Sequence, residues 1–190
     1  MKQRRCLIVV AVLSSVLFAM GLAGCLFSKK PVPINILAPH NEWHGSIVIE
    51  SSTPDLGATA PLSNLIDGDH GSRWVSVGKF PEGLDYHWVK ITLREPMQVS
   101  RLVLISDDGY QGASPERIVA EFALDYWDGT DWIEIVHVTG NTEKIVKASF
   151  EPIETDQWRL RVIKPGQTDD KTIRLMEMEL WTPTEEELVK

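Results

Sequence analysis

Asn64-Leu65-Ile66-Asp67-Gly68-Asp69-His70-Gly71-Ser72-Arg73-Trp74 sets an amide, two carboxylates and a hydroxyl on one glycine-punctuated loop that ends at a large aromatic. Gly68 and Gly71 allow positive φ, so the backbone can fold around a point and turn several oxygens inward. A hard cation suits such a loop, because it takes about 6–8 oxygens at about 2.3–2.6 Å. The same residues also read as an ordinary Asp-Gly turn between two strands. The spacing is not that of an EF-hand, which needs three alternating Asp or Asn positions, a glycine and a later Glu.

Downstream of this loop the chain reads as short strands. A polar insert runs through Gly78, Lys79, Phe80, Pro81, Gly83 and Tyr86, and His87–Leu93 then alternates, with Val89, Ile91 and Leu93 on one face. Arg94-Glu95-Pro96 predicts a turn, and Val99–Ser106 is nearly continuous in apolar residues, as a central strand would be. Asp107 to Gly112 is a loop that Pro115 extends. Ile118–Trp127 and Trp132–Val138 flank Asp128-Gly129-Thr130-Asp131, a strong hairpin signal. Lys144–Phe150, Gln157–Ile163 and Ile173–Trp181 add strands, and Ser46–Ser51 supplies one upstream. Regular short strands separated by turns predict an all-β sandwich or barrel. Trp74, Trp88, Trp132 and Trp158 sit on motif or strand positions and are expected in the core.

Upstream, the chain begins as an address. Met1-Lys2-Gln3-Arg4-Arg5 is basic, and Leu7–Leu22 is an apolar run too short for a comfortable membrane span. Leu22-Ala23-Gly24-Cys25 resembles a bacterial lipobox, which implies cleavage after residue 24 and lipidation of Cys25. More than one acyl chain gives stable membrane anchoring. Cys6 leaves with the signal and Cys25 becomes a thioether, so the mature domain has neither free thiol nor disulfide. Leu26 stands where an Asp would favour inner-membrane retention, so the outer membrane is the expected destination in a diderm organism and the cell surface otherwise. Residues 25–44, with Pro31, Pro33 and Pro39, read as the lipidated cysteine and a semi-rigid linker. His40 and His44 stand at i, i+4 but lack the order and third ligand of a zinc site. Residues 183–190 read as a frayed acidic tail.

Charge narrows the partners. The formal net charge is −8, and without residues 1–24 it becomes −11. Such a surface repels phosphate backbones, so nucleic acid is excluded as a partner.

Several segments together resemble the discoidin domain, also known as the coagulation-factor type C or galactose-binding-like domain. They are Asn64–Asp69 with Ser72 and Trp74, His87–Leu93, Tyr126–Trp132, Gln157–Val162 and Met176–Trp181, in that order across residues 45–182. The resemblance implies an eight-stranded jelly-roll β-sandwich whose bacterial members mostly bind carbohydrate. It also implies a structural Ca2+ held by Asn64, Asp67, Asp69, Ser72, the carbonyl of Met176 and Glu177. Galactose-binding relatives often carry a His directly after the Trp of the first motif and an Arg in a loop after a central strand. Here Val75 follows Trp74, and no arginine lies between Asp107 and Pro115. The remaining loop groups able to stack on a sugar or bond its hydroxyls are Lys79, Phe80, Tyr86, Asp108, Tyr110 and Gln111.

Catalysis is not expected. The sequence has no Gly-x-Ser-x-Gly, zinc motif or phosphate loop. Asp107/Asp108 and Asp169/Asp170 are adjacent and would point apart on a strand, whereas a glycosidase needs two facing carboxyl groups. Two functions stay open at this level: a lipid-anchored envelope module for carbohydrate, and a protein-interaction or scaffold subunit of an envelope complex using the same loops.

Overall fold

The computed structural model describes residues 32–106 and 115–188. Its strands are β1 (Val48–Ser51), β2 (Trp74–Val75), β3 (His87–Ser106), β4 (Glu121–Trp127), β5 (Trp132–Val138), β6 (Ile145–Lys164) and β7 (Arg174–Trp181), followed by the helical turn α1 (Glu185–Leu188). They pair antiparallel in the order β2-β7-β3-β6-β4-β5, with β1 on β3. The all-β jelly-roll expectation holds, with seven continuous strands where eight were expected. Among the described residues, β3 and β6 are each 20 residues long and run through bulges, so each joins what the sequence reads as two strands, while the short β2 at Trp74–Val75 is one the sequence reading did not list.

Arg94-Glu95-Pro96 is therefore a bulged, exposed stretch of β3 and not a turn. Proline survives there because bulges need no ladder hydrogen bond. Before it, β3 alternates buried and half-buried residues; after it, Val99–Ser106 is buried on nearly every position, flanked by β6 and β7. Val89, Ile91 and Leu93 face the core with Trp74, Phe122, Trp158 and Leu160. Trp74 and Trp158 are fully buried, but Trp88 and Trp132 are only half-buried. Trp88 alternates out of phase with Val89 and Ile91, so strand geometry turns it to the outer face.

Two boundaries move. The expected linker over residues 25–44 ends early: Asn35 bridges Trp181, the Ile36 N–H donates to the Leu180 carbonyl at 2.7 Å, and Ile36, Leu37 and Ala38 are buried. Packing against the end of β7 thus starts about ten residues before position 45, at Asn35. His44 uses Nδ1 on the Leu37 carbonyl at 2.8 Å, a structural bond. The acidic tail is also tied down as far as residue 188. The Thr184 N–H and the Ser100 hydroxyl both donate to Glu187 Oε2, at 2.7 and 3.0 Å.

Candidate functional site

The turn Leu62–Ile66 buries Leu65 and Ile66 and delivers the chain to Asp67. Gly68 then takes φ +73° and donates its N–H to Glu177 Oε2 at 3.1 Å. The first loop and the last strand meet there. Gly71 does not take positive φ, contrary to the sequence expectation; the single left-handed residue Gly68 suffices for the turn. Asp67 Oδ1 accepts from the Asp69 N–H at 2.8 Å and Oδ2 from the Ser72 hydroxyl at 2.7 Å. Asp69 Oδ1 accepts from the Gly71 N–H at 2.8 Å, and the Asn64 amide donates to the Arg73 carbonyl at 2.9 Å.

Glu177 is the anomalous member. It is 1% exposed, and its Oε1 has no hydrogen-bond partner. Burial raises its pKa to about 8; the negative charges of Asp67, Glu179 and Asp69 add to this, and the Gly68 N–H opposes it. Among the described residues no three His, Cys, Asp or Glu side chains gather as a metal cluster by themselves. An ion here would need the carbonyl and hydroxyl oxygens of Asn64, Ser72 and Met176 beside the carboxylates. The donor set fits a hard divalent cation: it is all oxygen, and it includes a buried carboxylate oxygen that no protein group satisfies.

At the loop end, Val75 pairs with Arg174 at the start of β7, the opposite end of that strand from Trp181, where Asn35 bridges. A depression of about 410 Å³ opens at the loop end, lined among others by Arg73, Val75, Ser76, Arg117, Thr172 and Arg174. Ser76 fixes one wall, its N–H on the Ile173 carbonyl at 3.2 Å and its hydroxyl accepting from the Ile173 N–H at 2.9 Å. Gly78 lets the insert approach closely, since a Cβ there would sit 2.6 Å from Thr172 Oγ1 and force that side chain to move. Arg174 pairs with Asp170 at 2.9 Å, and bonds from Thr172 first, then Arg174, hold the Asp170 carboxyl below its usual range.

Among the sequence-predicted ligand residues, Lys79 is exposed, while Phe80 packs tilted at 60° against buried His87, centroids 4.9 Å apart, with the Lys171 ammonium 5.1 Å from its ring. His87 donates Nε2–H to the Lys171 carbonyl at 2.8 Å, and burial lowers its pKa. Tyr86 lies under the Arg161 guanidinium at 5.6 Å. These three do not line the arginine depression. Asp108, Tyr110, Gln111 and the lipidation candidate Cys25 lie outside the described residues. The sequence reading missed Arg73, Arg117 and Arg174, which come from three separate segments and converge only in the fold.

Residues 48–178 match the family described as the F5/8 type C domain. No curated protein shows significant similarity to the chain. Among solved structures, a family 32 carbohydrate-binding module from Streptococcus pneumoniae EndoD is 22% identical, with TM-score 0.63, covering 79% of this chain and 100% of its own. The family 32 module of C. perfringens NanJ, in complex with galactose, is 12% identical, with TM-score 0.61 and coverage of 79% and 99%. A chitosan-binding module of a Paenibacillus sp. IK-5 chitosanase/glucanase is 20% identical, with TM-score 0.55 and coverage of 70% and 92%.

Proposed function

Because the chain belongs to the F5/8 type C domain family, we propose that it is a non-catalytic, carbohydrate-binding module of the cell envelope. In this reading a lipidated Cys25 anchors the domain, at the outer membrane in a diderm organism, and the loop end meets the glycan. One observation carries it: both described ends of the chain leave from one end of the sandwich, and the arginine-lined depression opens at the other. The Asn35 bridge to Trp181 and the bond from Thr182 N–H to the Ile34 carbonyl at 3.0 Å fix the first end. A tether entering there would point the depression away from the membrane.

The similar modules solved with galactose, or named for chitosan, support carbohydrate as the ligand class. Val75 stands where the galactose-binding members this chain resembles often carry a histidine, which argues for a sugar other than galactose. We further propose that a structural Ca2+ sits between the early loop and Glu177. Asp67, Asp69 and Glu177 would give carboxylate oxygens, Ser72 its hydroxyl, and Asn64 and Met176 their carbonyls. The ion would supply the positive charge that the buried carboxylate lacks.

A glycan array probed with the full chain tests the carbohydrate reading. Saturable binding to a glycan class, weakened by Arg174→Gln without loss of fold, is expected. Silence of the folded protein across a broad array, with one stoichiometric protein recovered from envelope extracts, would replace it with a scaffold role.

A further inference from the structure

The outer face of the sheet carries a second feature, remote from the loop end. On β3 and β6, Trp88 pairs with Arg161, Lys90 with Arg159 and Thr92 with Gln157; on β4 and β5, Asp125 joins the Arg159 row and Trp127 pairs with Trp132. Strand alternation sends these side chains to the same side. They enclose a depression of about 490 Å³ lined by Trp88, Lys90, Trp127, Trp132, Gln157 and Arg159. That volume falls in the range of small-ligand sites.

The walls are indoles and the floor is a fixed polar lattice. Trp127 and Trp132 lie 5.5 Å apart at 60°, presenting two inclined aromatic planes. The Arg159 guanidinium sits 4.6 Å over the Trp132 ring. Beneath it Asp125, 1% exposed, accepts from Arg159 Nε at 2.8 Å and from Arg161 Nε and Nη2 at 2.8 and 2.9 Å. Both guanidiniums are thus held before any ligand arrives, which lowers the ordering cost of binding. Gln157 adds a side-chain amide at the same rim.

Charge decides the occupant. Each cation at the depression already has a carboxylate: Lys90 pairs with Glu50, Arg159 with Asp125, and Arg161 with Asp125 and Glu134. The local sum is zero within a strongly acidic chain, so an anionic ligand gains no net attraction. What is offered instead is aromatic faces and oriented N–H donors, which complement apolar sugar faces and neutral hydroxyls. We infer that this sheet face is a second glycan site, taking a segment of uncharged oligosaccharide across Trp88, Trp127 and Trp132. The inference rests on the carbohydrate reading above but places this contact on the sheet and not on the loops.

The test titrates the full chain, in mild detergent, with neutral gluco-, xylo-, manno-, galacto- and chito-oligosaccharides, and with oligogalacturonate for comparison. Binding of a neutral series is expected, weakened by about tenfold or more in Trp132→Ala and in Trp88→Ala. Raising salt from about 50 to about 500 mM should change that affinity by less than about twofold. Gln157→Ala, a change too small to disturb the sheet, provides a second variant with weakened binding. Wild-type affinity in all three face variants, with loss in Arg174→Gln, would overturn the sheet-face site and leave the loop-end reading standing. Preference for oligogalacturonate would overturn the uncharged-ligand assignment. No binding to any glycan by the folded chain would remove both readings.

Discussion

Glu177 and Asp125 are both carboxylates at 1% exposure, yet their surroundings are opposite. Asp125 takes three hydrogen bonds from two guanidiniums. Glu177 has one backbone N–H and one unpartnered oxygen, and burial first, then the charges of Asp67, Glu179 and Asp69, raise its pKa. A buried charge must be paired or neutralised, so these two sites use different solutions. At Asp125 the chain supplies its own cations, and the site becomes a rigid platform. At Glu177 it supplies none of comparable effect; either a proton or an external cation has to do so.

Breaking each site should therefore have opposite signs. Asp125→Ala leaves two guanidiniums facing each other with their shared carboxylate gone. It should cost about 3–5 kcal/mol, read as a lower midpoint in chemical denaturation. Glu177→Gln removes a charge with no compensating partner. At pH 8 without divalent ions it should stabilise the protein by about 1–3 kcal/mol on the same measurement.

The pH dependence of the ion-free protein sharpens the contrast. The folded pKa of Glu177, about 8, lies above its ordinary value of 4.5, so between these values the folded state binds more protons than the unfolded one. The contribution of Glu177 to stability should be full at and below about pH 4.5 and should fall as pH rises to about 8, a slope absent from Glu177→Gln in melts across that window. The smallest effect is expected at the exposed edge of the Asp125 cluster. Glu134→Gln removes one partner of Arg161 at 42% side-chain exposure and should change stability by no more than about 1 kcal/mol.

Much of the fold was legible because strand alternation is a local signal. Val89, Ile91 and Leu93 face the core as their spacing requires, and Trp132–Val138 is a strand with the expected bounds. The Asp128 hairpin closes through the Asp128 carboxylate, which accepts from the Thr130 and Asp131 N–H groups at 2.7 and 2.8 Å beside Gly129 at φ +101°. The meeting of Gly68 with Glu177 was not local; it entered through family resemblance, and no spacing rule would have found it.

The errors have specific causes. Motif and strand positions point Trp88 and Trp132 to the core, but the parity of Trp88 against Val89 sends it outward. Ile36–Ala38 reads as linker because a three-residue apolar segment between prolines has no periodicity to detect. The arginines of the loop end come from positions 73, 117 and 174 and become neighbours only when β2 pairs with β7 and the turn Pro115–Arg117 folds over them.

The acidic cradle is tested most directly by thermal melts of the full chain at pH 8, in chelator and in millimolar Ca2+, beside the same pair for Glu177→Gln. Ligand binding to the folded state alone raises the melting temperature. The account predicts a rise of roughly 5–10 °C with Ca2+ in the wild type and most of that rise missing in Glu177→Gln. Superimposable wild-type melts in chelator and in Ca2+ would contradict it.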